Sequence, residues 1–242
     1  MRSFPWFGSR PILPERRTIG GDVVRGTPTS CKTRKVTGSA TRSVSIVLFD
    51  GFELLDVFGP VALLSRFPDS VEVQMLGPHE GPVRSSQGTE VVATASYGDA
   101  PEPDIVLVSG GMGTRSLVRD ERFLAWLREW ASTATIVTSV CTGSALLAAA
   151  GLLDGYRATS NKLAFEWASG HGTDVEWAPS ARWVHDRDRW TSSGVAAGMD
   201  MTGALLTHLF GREEAERAAR EIELELHTDP DRDLFAVAHG LE

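Results

Sequence analysis

Apolar and polar positions along this chain fall into short β-branched runs separated by stretches with helical spacing. Residues 1–42 have neither pattern. They are rich in Gly, Pro, Ser, Thr and Arg and read as a disordered basic N-terminal extension. Order is expected from Ser43. Residues 44–49 form a nearly continuous apolar strand, Asp50-Gly51 makes a turn, and Leu54, Leu55, Phe58, Val61, Ala62 and Leu64 then recur at helical spacing. Residues 71–76 are a second strand, stopped by Gly77-Pro78, and residues 79–96 read as a loop and hairpin turning at Gly88. Residues 105–108 are a third strand, and Phe123, Leu124, Trp126, Leu127 and Trp130 give residues 121–131 an amphipathic helical face. Residues 134–137 are a fourth strand, and residues 145–150 are strong helix material ended by Gly151.

After Gly155 the pattern changes. Residues 182–185 and 189–192 flank Asp186-Arg187-Asp188, a predicted hairpin. Two helices follow, over 198–210 and 212–227, and residues 229–242 read as a C-terminal tail. Strands alternating with helices imply an α/β domain over 43–228, with a mostly parallel sheet covered on both faces.

The 242 residues suffice for one domain with a sizeable core. Charge is distributed unevenly. Residues 1–42 carry nine Lys/Arg and two Asp/Glu, which leaves 15 basic and 30 acidic residues in 43–242, a net of −15. An acidic body repels nucleic acid, so no nucleic-acid partner is expected. No apolar run approaches the ~20 residues that span a bilayer, so no membrane partner is expected either. The two cysteines, Cys31 and Cys141, are far apart and form no CxxC, which argues against a disulfide framework and for a reducing cytoplasm. None of the six histidines has ligand spacing with another His or Cys, so no metal is expected. The Gly110-Gly111-Met112-Gly113 run lacks the Lys-Ser/Thr of a phosphate loop, and no GxGxxG follows the first strand, so no nucleotide or other cofactor is expected.

Candidate chemistry gathers at the carboxyl ends of the predicted strands, where open α/β folds place their ligands. Cys141 lies where a buried strand turns sharply into a helix, in Thr138-Ser139-Val140-Cys141-Thr142-Gly143-Ser144. This is the arrangement of a nucleophile elbow with sulfur in place of a hydroxyl, and helix N–H groups there favour the thiolate and a lowered thiol pKa. The alternative is a small Cys that only packs. Gly110 and Gly111 end the third strand, and with the Thr142 N–H they can form an oxyanion hole beside the sulfur; an ordinary tight turn is the alternative. Asp56 lies in the apolar run Leu54-Leu55-Asp56-Val57-Phe58, where burial would raise its pKa and let it hold a proton near a thiolate. The alternative is a first-turn Asp that complements a helix dipole. His185, on the hairpin, is the best-placed candidate base among the histidines, or simply a surface residue.

Together these stretches resemble the DJ-1/PfpI superfamily, which shares the class I glutamine amidotransferase-like fold, and within it the isocyanide hydratase branch. The resemblance covers about residues 44–227. Its carriers are Leu54-Leu55-Asp56-Val57-Phe58-Gly59-Pro60, Ser109-Gly110-Gly111 and the Cys141 elbow, followed by the run from Ala150-Gly151-Leu152 to Arg157-Ala158-Thr159 and by Gly194-Val195-Ala196-Ala197-Gly198-Met199-Asp200. It implies a flavodoxin-like three-layer sandwich, a homodimer, Cys141 as nucleophile and Asp56 as its acidic partner, with Asn161 and Val195 among the residues bordering the substrate. One departure matters. Relatives of this branch often carry Thr-Thr-His-Trp where this chain reads Thr159-Ser160-Asn161-Lys162, and Asn161 can hydrogen-bond a ligand but cannot act as a base.

The expected activity is therefore a cofactor-independent cysteine hydratase or hydrolase acting on a small electrophile, an isocyanide converted to an N-formamide. Glyoxalase- or deglycase-like chemistry on reactive carbonyls is the second enzyme reading. A small-molecule or redox sensor of the same fold is the reading from a different class.

Overall fold

A computed structural model describes residues 41–241. Cys31 and nearly all of the expected N-terminal extension lie outside the described residues. In chain order the elements are β1 (Arg42–Val47), α1 (Leu54–Leu64), β2 (Val71–Gly77), β3 (Gly81–Arg84), β4 (Glu90–Ala93), β5 (Ala95–Ser96), β6 (Ile105–Val108), α2 (Thr114–Leu117), α3 (Glu121–Ala131), β7 (Ile136–Ser139), α4 (Gly143–Ala149), β8 (Arg157–Ala158), α5 (Phe165–Ser169), β9 (Glu176–Trp177), β10 (Trp183–Asp186), β11 (Arg189–Ser192), α6 (Ala197–Phe210), α7 (Arg212–Glu221) and α8 (Leu234–Ala238).

Seven strands form one sheet in the order β10-β11-β7-β6-β1-β2-β5. All neighbours run parallel except the β10–β11 hairpin. The central strand β6 is apolar along its whole length because helices cover both faces; Ile105, Val106, Leu107 and Val108 are all buried. The chain moves from β1 outward to β2 on one side and back to β6 on the other, which makes a topological switch point beside β1. The ends of β1, β6, β7 and β11 all open on the same rim. The expected α/β sandwich with a mostly parallel sheet is the fold observed.

Several boundaries differ from the sequence reading, for identifiable reasons. The first strand begins two residues early, at Arg42, whose N–H reaches the Ser70 carbonyl at 2.9 Å. Helix α7 stops at Glu221, not at residue 227. Beyond it Ile222, Leu224 and Leu226 are partly covered while Glu223 and Glu225 are exposed, an alternation of period two that suits extended chain. Leu226 lies against α6 at Gly203, where a Cβ would come within 2.5 Å of the leucine Cδ1. The residues read as a C-terminal tail are folded. The Pro230 carbonyl accepts the N–H of Arg182 at 2.7 Å, and Asp233 is buried and caps α8 through the Phe235 N–H at 3.0 Å. Helices α2 and α5, of four and five residues, are too short to leave a periodic signal.

Among the described residues no helix is long and apolar enough to cross a membrane.

Candidate active site

The elbow forms because the chain must leave β7 and enter α4 within three residues. Cys141 takes φ 58°, a left-handed conformation uncommon for a residue with a Cβ. Such strain costs about 1–3 kcal/mol and persists only where the surroundings hold it. Here they do. The Cys141 N–H donates to the Ser193 carbonyl at 3.0 Å, and the Cys141 carbonyl accepts the hydroxyls of Ser160 at 3.1 Å and Ser144 at 3.2 Å. Gly143 follows because a Cβ there would run into the carbonyls of Val108 and Ser109 at the end of β6.

Asp56 reaches the sulfur from α1. It is fully buried, inside a helix whose Leu54, Val57 and Leu63 belong to or pack on the core. Gly59 lets α1 close onto α6, since a Cβ would come within 2.8 Å of the Met199 side chain. The Asp56 Oδ2 accepts the Gly110 N–H at 2.7 Å, while its Oδ1 is buried with no nitrogen or oxygen partner. Burial pushes the carboxyl up to about 8; the Gly110 N–H opposes this, Glu53 adds to it, and a hydrogen bond from the Cys141 thiol opposes it.

Cys141 is 6% exposed. Burial pushes its thiol up, and the Asp56 charge adds to this; the Thr142 N–H and hydroxyl pull it down, and Glu53 pushes it up again. The expectation of a lowered thiol pKa is therefore corrected. The helix start and Thr142 do favour the thiolate, but the desolvation that comes with burial outweighs them. Cys141 and Asp56 are two acids in one dry site, and they titrate as a pair.

Two of the amides expected to form an oxyanion hole make hydrogen bonds within the protein. The Gly110 amide is engaged by Asp56, and the Gly111 amide donates to the Thr142 Oγ1 at 3.1 Å. These glycines act as positioning groups for the acid and for Thr142. The Thr142 Oγ1 also accepts the Thr114 hydroxyl at 3.2 Å, and its own hydroxyl is shared between the Gly111 carbonyl at 3.5 Å and the Cys141 sulfur. A side chain at Gly110 would come within 2.6 Å of the Thr142 nitrogen and 2.8 Å of Asp56 Oδ2.

Asn161 and Val195 border the same region. The loop that receives the Cys141 N–H runs from Ser193 through Gly194 to Val195, and the Asn161 Nδ2 lies 3.5 Å from where a Gly194 Cβ would be. Asn161 Oδ1 accepts the Ala164 N–H at 3.1 Å. Beside it Lys162 is buried, its Nζ donating to the Ala181 carbonyl at 2.6 Å, the Thr159 hydroxyl at 2.8 Å and the Ser160 carbonyl at 3.4 Å. Lys162 thus anchors the segment whose Ser160 holds the elbow. His185 is not brought to the site: it is exposed on β10 and stacked on Trp190, with ring centroids 3.8 Å apart.

One contributor gave no sequence signal. Arg115, on α2, is partly buried; burial pushes its guanidinium down, and the charge of Cys141 pushes it up. Its carbon Cζ lies 3.3 Å from the centre of the Trp167 ring on α5.

Among the described residues no group of three or more His, Cys, Asp or Glu is arranged to hold a metal ion. Two grooves elsewhere, of about 390 and 470 Å³, have neither Cys141 nor Asp56 in their walls.

The sequence profile of the DJ-1/PfpI family matches residues 42–208. The chain is 36% identical to the isonitrile hydratase of Pseudomonas putida over 182 residues, covering 74% of this chain and 77% of that protein. It is 33% identical over 187 residues to the HTH-type transcriptional regulator GbdR of Pseudomonas aeruginosa, where the match covers 71% of this chain and 48% of the regulator. Among solved structures, a ThiJ/PfpI family protein from Pseudomonas syringae superposes with a TM-score of 0.68 at 30% identity, covering 78% of this chain and 77% of that one.

Proposed function

We propose that this chain, which belongs to the DJ-1/PfpI family, is a cofactor-independent cysteine enzyme that adds water to a small electrophilic carbon, as an isocyanide hydratase does. The observation that carries the reading is the buried Cys141–Asp56 pair, with Asp56 raised to about 8 and its Oδ1 without a nitrogen or oxygen partner. A thiol alone would suit a redox sensor. A carboxyl poised near neutral pH beside it suits proton transfer.

The chemistry follows from the proton count. Near pH 7 the pair rests as thiol and carboxylic acid. Loss of one proton gives a state in which a single proton is shared, either as thiol plus carboxylate or as thiolate plus carboxylic acid. In that state the Cys141 sulfur bonds to the terminal carbon of the isocyanide, and Asp56 transfers the shared proton to the same carbon. The product is a thioimidate, R–N=CH–S–Cys141. Water then adds to this carbon with Asp56 accepting its proton. Expulsion of Cys141, with return of the protons to nitrogen and sulfur, leaves R–NH–CHO. The Thr142 N–H and hydroxyl stabilise the sulfur as it becomes the leaving group. The limited exposure of Cys141 favours a slim substrate, and an isocyanide carbon is a narrow, unhindered target.

The likeness to GbdR supports one second reading, a small-molecule sensor of the same fold. By resemblance we also place the chain in the cytoplasm as a homodimer, with the exposed Leu55 and Phe58 of α1 as apolar surface for a second copy. Incubation with isocyanides, methylglyoxal and glycated amines, beside Cys141→Ala, tests the function. N-formamide made by the wild type and not by Cys141→Ala supports the hydratase. Turnover of methylglyoxal alone, or of nothing, contradicts it.

A further inference from the structure

Arg115 is placed in an unusual way for a charged residue. Its guanidinium carbon lies over the Trp167 indole, 3.3 Å from the ring centre, and its Nη1 is buried with no hydrogen-bond partner. Among the described residues no Asp or Glu pairs with it within 4.0 Å. On the same indole, His171 sits edge-on with ring centroids 4.8 Å apart, and its Nε2 is likewise buried without a partner. A partly buried cation with one buried, unmet donor is costly unless something supplies an acceptor and a negative charge.

The cluster adjoins the elbow. Arg115 follows Thr114, whose hydroxyl is 3.2 Å from that of Thr142, the residue after Cys141. The charge of Cys141 also acts on the guanidinium. Two other fixed charges are nearby: Arg119, which with Arg115 acts on His171, and Glu53, which acts on both Asp56 and Cys141 and accepts the Gln87 amide at 2.6 Å. A guanidinium presents a planar fork of donors that fits a carboxylate in a bidentate manner, and an aromatic face keeps that fork oriented. Because residues 43–242 carry a net −15, the general field repels anions, and any preference for one must be local.

We propose that Arg115, braced on Trp167, is the specificity-determining residue of the site: it binds the carboxylate of a small substrate whose electrophilic carbon is thereby presented to Cys141. The inference rests on the reading above that Cys141 is the nucleophile, and it narrows the substrate to a carboxylate-bearing electrophile such as an isocyano acid.

Alkylation of Cys141 by iodoacetate and by iodoacetamide, which differ in charge and little in shape, tests this without any isocyanide. The ratio of the two rates is expected to fall about 10- to 100-fold in Arg115→Gln, the range of a hydrogen bond to a charged group. Any change in the nucleophilicity of Cys141 acts on both reagents and cancels in the ratio, and Arg115→Lys should keep part of it. A ratio unchanged in Arg115→Gln overturns the proposal. Thermal melting of the wild type in propionate and in propionamide, at fixed ionic strength, stands in if the variant does not fold or Cys141 is too shielded to label: stabilisation by propionate alone supports the subsite, and equal or absent effects overturn it. The two readings fail separately. Anion selectivity without isocyanide turnover sinks the hydratase and keeps the subsite. Equal kcat/KM for isocyanoacetate and its methyl ester sinks the subsite and keeps the hydratase.

Discussion

The amide of Gly110 donates to Oδ2 of Asp56 at 2.7 Å, so the loop after β6 holds the carboxyl that faces Cys141. The same glycine leaves no room for a side chain, because a Cβ would lie 2.6 Å from the Thr142 nitrogen and 2.8 Å from Asp56 Oδ2. Gly110→Ala must therefore move the acid, the elbow or both. It is expected to lower kcat/KM at least ~100-fold, since displacement of a positioned acid–base group removes most of its benefit. Overpacking of this kind should also cost about 1–3 kcal/mol of stability. Steady-state kinetics with an isocyanide, beside a melting curve, checks both parts; near-normal turnover would mean that the contact is incidental.

Asp56→Asn separates the carboxyl's hydrogen bond from its proton. The amide oxygen can still accept from Gly110, but the side chain can no longer exchange a proton with sulfur. Turnover should fall roughly 10²–10⁴-fold, the usual contribution of a general acid–base group. Cys141 should still be alkylated at high pH. Undiminished turnover would make Asp56 structural.

The pH dependence of turnover follows from the pair. With Asp56 at about 8, the one-proton state is a minority at neutral pH and grows as pH rises. The wild-type kcat/KM should climb about tenfold per pH unit below this value and flatten above it. A plateau already reached by pH 6 would indicate a thiolate stabilised far more than burial allows here.

Stability should depend on pH in the opposite sense. Asp56 keeps its proton in the folded state up to about 8, whereas the unfolded chain loses it near 3.8. Its contribution is complete below the lower value and is lost as pH rises through the upper one. Asp56→Asn has no such slope. Its melting temperature should exceed that of the wild type by about 3 °C or more at pH 9, where a shift of this size corresponds to about 1 kcal/mol for a domain of this size, and the difference should shrink toward pH 5. A constant difference across that range would mean that Asp56 is ionised throughout.

Lys162→Met tests the anchor behind the elbow. The change fits the space but leaves the Ser160 carbonyl without its Lys162 donor and the Ala181 carbonyl with only the Thr159 hydroxyl at 3.2 Å. Unsatisfied buried groups cost about 1–3 kcal/mol, so the melting temperature should drop by several degrees. An unchanged melting temperature would show that water takes over these acceptors without loss.

The Cys141 elbow was legible in the sequence because three local signals agree there: a β-branched run, a small-residue turn and an alanine-rich helix. Asp56 stood out as a lone carboxyl in an apolar helical stretch. The proton balance was not legible, since it depends on how dry the site is, and the Cys141 backbone is held by segments as distant as Ser160 and Ser193. The engagement of the Gly110 and Gly111 amides was hidden for the same reason. Arg115 and Trp167 lie 52 positions apart on single-turn helices, so neither periodicity nor spacing linked them. The end of α7 was misread because Glu, Leu and Ile suit helix and extended chain alike, and packing of Leu226 on Gly203 decides between them.

The account stands on a covalent bond between Cys141 and the substrate carbon, and rapid-quench intact-mass analysis of the wild type mixed with an isocyanide at pH 8 measures it most directly. The expected result is a transient adduct on Cys141 with the full mass of the isocyanide, decaying as N-formamide appears. Formamide formed with no adduct at any time, or an adduct on a residue other than Cys141, would contradict it.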